Sequence, residues 1–307
     1  MAFRSARRLV TRRLGIQALR ADMAAHAAAL AAHQASLVQH AVDINVLVEQ
    51  SRAARLAQTI VWATMWNAAD PSPLATLVTV ILPTRNRADL VLRAVRSVLQ
   101  QANVRIELIV VNDASTDHTA AVLATIEDPR VTVLVGGAAG VGAGCGAARN
   151  IAIKHATGDI IAFVDDDNIM APGWLAAAAR HLSQHEESAG VYGAQIREPE
   201  QAGDLNLLYR APFSRDELLV GNFVDIGAAA FRAGTDELHF DNSLNGLEDW
   251  DMFIRITATQ RLDPIPVLSC FYSTSAQDRL SHQPEMTEAV LTVQRRVAAE
   301  RALRACD

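Results

Sequence analysis

The stretch Asp159-Ile160-Ile161-Ala162-Phe163-Val164-Asp165-Asp166-Asp167-Asn168 runs from an apolar segment straight into three consecutive carboxylates. An apolar run of this length bounded by polar residues reads as a buried strand, so the carboxylates fall where that strand gives way to a loop. Alternation along the strand places Asp165 and Asp167 on one face and Asp166 on the other. Like charges packed so closely repel one another unless a cation is shared among them. A hard divalent ion with a phosphate on its far side would use this arrangement.

Upstream, the same kind of unit repeats. Thr76–Leu82 is a β-rich apolar run, and Ala88–Gln101 reads as an amphipathic helix. Arg105–Val111 is a second buried strand, followed by a polar turn and a helix from about Thr116. Val131–Val135 is a third strand, and a Gly-rich loop opens a helix near Gly144–Ala156 before the strand Asp159–Val164. Strands that alternate with helices predict a mostly parallel sheet with helices on both faces. Ligands in such sheets bind at the carboxyl ends of the strands, where Pro83–Arg87, Asn112-Asp113 and Asp165–Asp167 all fall. Downstream the pattern is mixed. A helix is predicted over Trp174–Gln184, short strands near Gly190–Ile196 and Asn222–Ile226, a helix at Leu247–Gln260, an extended segment at Pro264–Tyr272 and a terminal helix at Met286–Arg304.

The first 66 residues carry one glycine, Gly15, and no proline, which is strongly helical composition. Ile16, Met23, Leu30, Leu37 and Ile44 recur every seven residues, the pattern of a coiled coil or helical hairpin. Asp70-Pro71-Ser72-Pro73 then breaks the helix. The expected organisation is a helical segment over 1–70, a catalytic body over 74–283 and a C-terminal helix over 284–307.

Charge divides along the same line. The net charge of −6 combines +4 over residues 1–70 with −10 over residues 71–307. A body this acidic excludes general nucleic-acid binding, which depends on clustered cations. The basic end suits contact with an anionic membrane surface, an acidic partner or a second copy of itself. Cys145, Cys270 and Cys306 lie far apart with no metal or disulfide spacing, and no apolar run reaches the ~18–20 residues of a membrane span. These features predict a cytoplasmic protein, peripheral at the inner membrane face if the basic end engages lipid.

Five stretches in order carry a family resemblance: Val80-Ile81-Leu82-Pro83-Thr84-Arg85-Asn86-Arg87; Val110-Val111-Asn112-Asp113-Ala114-Ser115-Thr116-Asp117; Gly146-Ala147-Ala148-Arg149-Asn150; Phe163–Asn168; and Leu247-Glu248-Asp249-Trp250-Asp251. A weaker sixth is Asn222-Phe223-Val224-Asp225-Ile226. Together they resemble the inverting glycosyltransferases of family 2, with the α/β GT-A fold, a Rossmann-like, mostly parallel sheet. The resemblance spans about Thr76 to His282 and leaves the N-terminal helix outside.

What it implies is specific. Asp113 would accept a hydrogen bond from uracil N3–H, with Pro83, Thr84 and Arg85 walling the base and Asn86 completing that loop. Arg149 and Asn150 would lie near the nucleotide. Asp165 and Asp166 would contact the donor, and Asp167, with Asp165 and His282, would hold Mn2+ or Mg2+. Arg279 would reach the diphosphate. Asp249 would be the base that deprotonates a hydroxyl of a glycan or other acceptor as it attacks a nucleotide-sugar donor, most simply a UDP-sugar, with inversion. Arg85 stands where an aromatic is frequent, and Ala114 where glycine is usual. The processive Gln-x-x-Arg-Trp sequence is absent, which points to single-sugar transfer.

Plainer readings exist for each motif. Asp113–Asp117 also builds a turn and helix cap, and first-turn acids such as Glu248 and Asp249 complement a helix dipole. Gly142-Ala143-Gly144-Cys145-Gly146-Ala147 satisfies the dinucleotide fingerprint of an NAD(P)-dependent oxidoreductase, although two βα units precede it. Further alternatives are a non-catalytic sugar- or partner-binding module and metal-dependent sugar hydrolysis.

Overall fold

The computed structural model describes residues 55, 57–65, 72–138, 140–197, 206–273 and 286–304. The predicted heptads, Arg279 and His282 lie outside them. The chain divides into two units, Met1–Gln58 and Thr59–Asp307, and every described site residue belongs to the second.

Nine strands form one sheet in the order β3-β2-β1-β4-β8-β6-β9-β5, with β7 beside β6. They are β1 (Leu77–Thr84), β2 (Arg105–Asp113), β3 (Val131–Gly136), β4 (Ile160–Phe163), β5 (Ile169–Met170), β6 (Ser188–Arg197), β7 (Asn206–Leu208), β8 (Ala229–Arg232) and β9 (Arg261–Tyr272). The β3-β2-β1-β4 half is entirely parallel. Strand β8 then joins β4 and β6 antiparallel, and β9 lies parallel to β6. Strand order reverses between β1 and β4, and such a switch point opens a crevice at the strands' carboxyl ends.

The central strands are apolar on both faces, as parallel strands covered by helices must be. Val78, Val80 and Leu82 of β1 and Leu108 and Val110 of β2 face α1 (Val91–Leu99) and α4 (Trp174–Gln184). Ile81, Ile109, Val111 and Phe163 face the opposite core, which contains residues of α3 (Cys145–His155), α6 (Glu248–Ile256) and α7 (Met286–Arg304).

Two expectations shift. The strand predicted over Asn222–Ile226 does not form. Asn222 Oδ1 accepts the Val224 N–H at 3.1 Å and Asp225 Oδ1 accepts the Gly227 N–H at 2.8 Å. Such local bonds divert the backbone from a sheet ladder, so the strand begins only at Ala229. The boundary expected near residue 70 also falls earlier. Ile60 is 1% exposed and packs with Ala171, Ala194 and Leu268, while the Leu268 N–H donates to Thr64 Oγ1 at 2.8 Å.

Candidate active site

Strand parity distributes the functional side chains. Phe163 points into the α3/α6 core, Val164 into the α1/α4 core. Continuing the alternation sends Asp165 toward α3 and Asp166 toward α1, and the contacts agree. Arg149 of α3 donates from Nη2 to Asp165 Oδ1 at 2.7 Å, whereas Arg87 Nε lies 3.7 Å from Asp166 Oδ1. Asp166 and Asp167 themselves sit in a turn.

Arg149 is the hub. It is 4% exposed, its Nη1 donates to Glu248 Oε1 at 3.1 Å, and its guanidinium lies 5.2 Å from the Phe240 ring centroid. One buried fork therefore joins the first Asp of the β4 turn to the start of α6. Gly146, one turn earlier on α3, permits this approach, since a Cβ there would stand 3.3 Å from Glu248.

Asp249 follows directly. The turn before α6 runs through Gly246 at φ 106° and Leu247 at φ 58°, a left-handed conformation uncommon for a bulky residue. Asn222 Nδ2 donates to Asp249 Oδ2 at 3.2 Å, and the Trp250 N–H to Asp249 Oδ1 at 2.7 Å. Burial, then Glu248 and Asp225, push the Asp249 carboxyl up to about 7. Asp225 is itself pushed up to about 6 by burial and by Asp165. Asp165, Asp225, Glu248 and Asp249 are thus one electrostatic group around a single arginine, the setting in which a carboxylate becomes a base near neutral pH.

On the β1–β2 side, Asp113 is 4% exposed and holds the Gly-rich loop. Its Oδ1 accepts the Ala143 N–H at 2.7 Å and its Oδ2 the Gly144 N–H at 3.0 Å. A Cβ on Gly142 would stand 2.6 Å from both Asp113 Oδ2 and Arg85 Nη1, so any larger residue there would displace one or both of these side-chain ends. The loop amides that a dinucleotide fingerprint would turn toward a pyrophosphate are committed to Asp113. Pro83 and Thr84 are buried at the end of β1, and Arg85 is exposed. Asn86 Oδ1 accepts the Thr116 N–H at 2.8 Å, tying the two loops together. Ala114 has φ 55°, the conformation that makes glycine usual there. Asn150 binds the 240–242 segment, donating to Phe240 O and Asn242 Oδ1 and accepting the Phe240 N–H; its amide does not turn to the crevice.

On the other side of the turn, burial raises the Asp166 carboxyl to about 7, Thr84 and Arg87 oppose this, and Asp167 and Asp165 add to it. The Thr84 hydroxyl approaches Asp166 without completing a hydrogen bond. Among the described residues no three His, Cys, Asp or Glu side chains converge as a metal site. An ion of the Mg2+ type uses one or two carboxylates and takes its other oxygens from substrate phosphates and water. The crowded carboxylates of this turn fit such an ion.

Glu248, Asn222, Asp225 and Arg87 join the site beyond the residues assigned from sequence. All four lie inside the quoted motifs, so a signal was present, but their roles arise from contacts up to 99 positions apart.

Residues 79–237, about half the chain, match the sequence profile described as Glycosyl transferase family 2. The chain is similar to the putative colanic acid biosynthesis glycosyl transferase WcaA of Escherichia coli K12, at 32% identity over 190 residues, covering 59% of this chain and 66% of WcaA. It is 37% identical over 100 residues to the UDP-Glc:alpha-D-GlcNAc-diphosphoundecaprenol beta-1,3-glucosyltransferase WfgD of Escherichia coli, covering 33% of this chain and 37% of WfgD. It therefore spans only part of the length of these relatives. In fold it is similar to S. aureus TarS 1-349 in complex with UDP-GlcNAc, with a TM-score of 0.57 at 18% identity over 67% of this chain and 61% of that one. The profile match, the switch-point crevice and the shared fold lead to one assignment: the chain belongs to glycosyl transferase family 2 and adopts the GT-A fold.

Proposed function

We propose that the chain transfers one sugar from a UDP-sugar to a hydroxyl of a glycan acceptor in polysaccharide biosynthesis, inverting the anomeric centre. The observation that carries this is the Arg149 fork, which gathers Asp165 from the β4 turn and Glu248 from α6. It sets the candidate base next to the carboxylates that would meet the donor. The chain's similarity to WcaA, WfgD and the TarS complex with UDP-GlcNAc supports the sugar-transfer, polysaccharide and UDP parts of the reading.

In this mechanism Asp113 and the Pro83–Arg85 segment receive the base. Asp166 would contact the ribose, beside Asp165, which Arg149 steadies. Asp249 takes the acceptor proton, its carboxylate oriented by the Asn222 amide and the Trp250 N–H. The acceptor oxygen bonds to the anomeric carbon as the bond to the diphosphate breaks on the opposite face, which inverts configuration. Asp167, with Asp165 and with His282 from outside the described residues, would hold Mn2+ or Mg2+, a Lewis acid that stabilises the departing diphosphate.

The test is a thermal-shift panel with UDP, GDP, dTDP, CDP and NAD, each with Mn2+ or EDTA, on wild type, Asp167→Ala and Asp249→Asn. A ligand of the native state raises the melting temperature according to its concentration over Kd. Stabilisation by UDP that needs Mn2+ is expected, lost in Asp167→Ala and kept in Asp249→Asn. With a UDP-sugar and a competent acceptor, Asp249→Asn should lower turnover by about 10²–10⁴-fold. Stabilisation by NAD alone, indifferent to EDTA, would overturn the reading.

A further inference from the structure

A cleft on the far side of the Asp turn shares only Asp167 with the mechanism above. It measures about 190 Å³, and Arg93, Asp167, Ile196, Arg197, Phe271 and Tyr272 contribute to its wall. Arg197 and Tyr272 end β6 and β9 as register partners, and the Arg197 guanidinium lies 4.8 Å from the Tyr272 ring centroid. Arg197 Nε is buried and meets no acceptor. Arg93 enters from α1, its Nη2 donating to the Asp167 main-chain oxygen at 2.8 Å. Among the described residues neither arginine pairs with a carboxylate. Phe271, beside them, is 40% exposed.

Two guanidinium groups that pair with no carboxylate among the described residues, one with an unmet buried donor, are the chemistry that recognises a phosphate. The aromatic and aliphatic wall suits a sugar ring or hydrocarbon attached to it. Position distinguishes acceptor from donor. Thr84, Asp113 and Asp165 stand at the ends of β1, β2 and β4, whereas Arg197 and Tyr272 end strands across β8. Gln195 and Cys270 precede them by two residues, hence on the same side of the sheet. Gln195 approaches Asp225 and opposes the rise of its carboxyl, and Asp225 in turn acts electrostatically on Asp249. A continuous line of side chains thus leads from the candidate base to the cleft.

We propose that this cleft binds a phosphate or diphosphate carried by the acceptor, whose sugar extends past Asp225 toward Asp249. The proposal rests on the transferase reading. A soluble sugar phosphate and a lipid-borne diphosphate offer the same anionic group.

Calorimetry on the full chain saturated with UDP and Mn2+ tests it, with glucose 1-phosphate and geranyl diphosphate as probes. At least one probe should bind wild type and bind about tenfold more weakly to Arg197→Ala and to Arg93→Ala. Arg197→Lys, which keeps charge but loses the fork, should fall between, and UDP affinity should stay within about twofold throughout. Tighter glucose 1-phosphate supports a soluble acceptor, and tighter geranyl diphosphate a lipid-borne one. Absence of binding by both probes, or binding indifferent to both arginines, overturns the proposal. So does a parallel loss of UDP affinity, which would make the cleft part of the donor site. Failure of wild type to bind UDP at all would instead fell the transferase reading, and this proposal with it.

Discussion

Asp249 sits between opposing influences. Burial, Glu248 and Asp225 favour its protonated form, while Arg149 and the Trp250 N–H favour the carboxylate. The Asn222 amide belongs with the second group. Its Oδ1 is occupied by the Val224 N–H, so its Nδ2 must face Asp249. The base has to be ionised to accept a proton, so with a pKa near 7 kcat/KM should climb about tenfold per pH unit below neutrality and level off above it. Asn222→Ala removes a donor to the charged form and should move that midpoint upward by about half a unit or more. A wild-type profile already flat above pH 5, or a midpoint unmoved in Asn222→Ala, would count against Asp249 as the base.

At the scale of elements, Arg149 couples α3 to the β4 turn and to α6. Removing the guanidinium strands Asp165 and the buried Glu248 without their partner. Breaking a buried ion group by deleting one member is strongly destabilising, by about 3–5 kcal/mol. Arg149→Met should therefore lower the urea midpoint by that equivalent, and Arg149→Lys by less, because it keeps the charge although a point charge cannot serve both carboxylates in the fork's geometry. An unchanged midpoint in Arg149→Met would show that the fork is not what joins these elements. Element boundaries were readable where pattern and packing agree: Trp174–Gln184 and Met286–Arg304 form over the predicted residues. They were misread at Asn222–Ile226, where two short polar side chains capture backbone N–H groups that an apolar pattern assigns to a ladder.

At the scale of the molecule, the C-terminal helix is part of the catalytic body. Val293 and Val297 are buried in the α6 core, and Arg296 contacts both Asp251 and Asp241 at 2.5 Å. The Arg296 hydrogen bond, then Ser243, hold the Asp241 carboxyl down at about 2. A carboxylate depressed in the folded state supports the fold above its unfolded pKa of ~4, and that support disappears as pH falls through the folded value. Arg296 is 40% exposed, so solvent screening reduces the effect. Arg296→Ala should cost about 1 kcal/mol at pH 7, with the difference from wild type closing as pH falls toward 2. Denaturant titrations at pH 7, 4 and 2.5 would check this, and a difference independent of pH would sink the ion-pair account. Among the described residues no helix is long and apolar enough to cross a membrane.

By itself the sequence determined the alternation of strands and helices, the parallel half of the sheet and the placing of Asp113, Thr84 and Asp165 at strand ends. Hydrophobic periodicity and turn residues are local, and local signals suffice for these features. The division of the Asp triplet between two faces was also determined, because parity follows from strand geometry alone. Only the tertiary structure decided what each side chain meets. It turned Asn150 to the 240–242 segment, committed Asp113 to the loop amides and buried Arg149 between Asp165 and Glu248, 83 positions apart in sequence. It also set Arg197 and Tyr272 side by side at the ends of two strands. Partners so distant along the chain meet through strand register and helix packing, and pKa values follow from burial and neighbouring charge, neither of which a local pattern records.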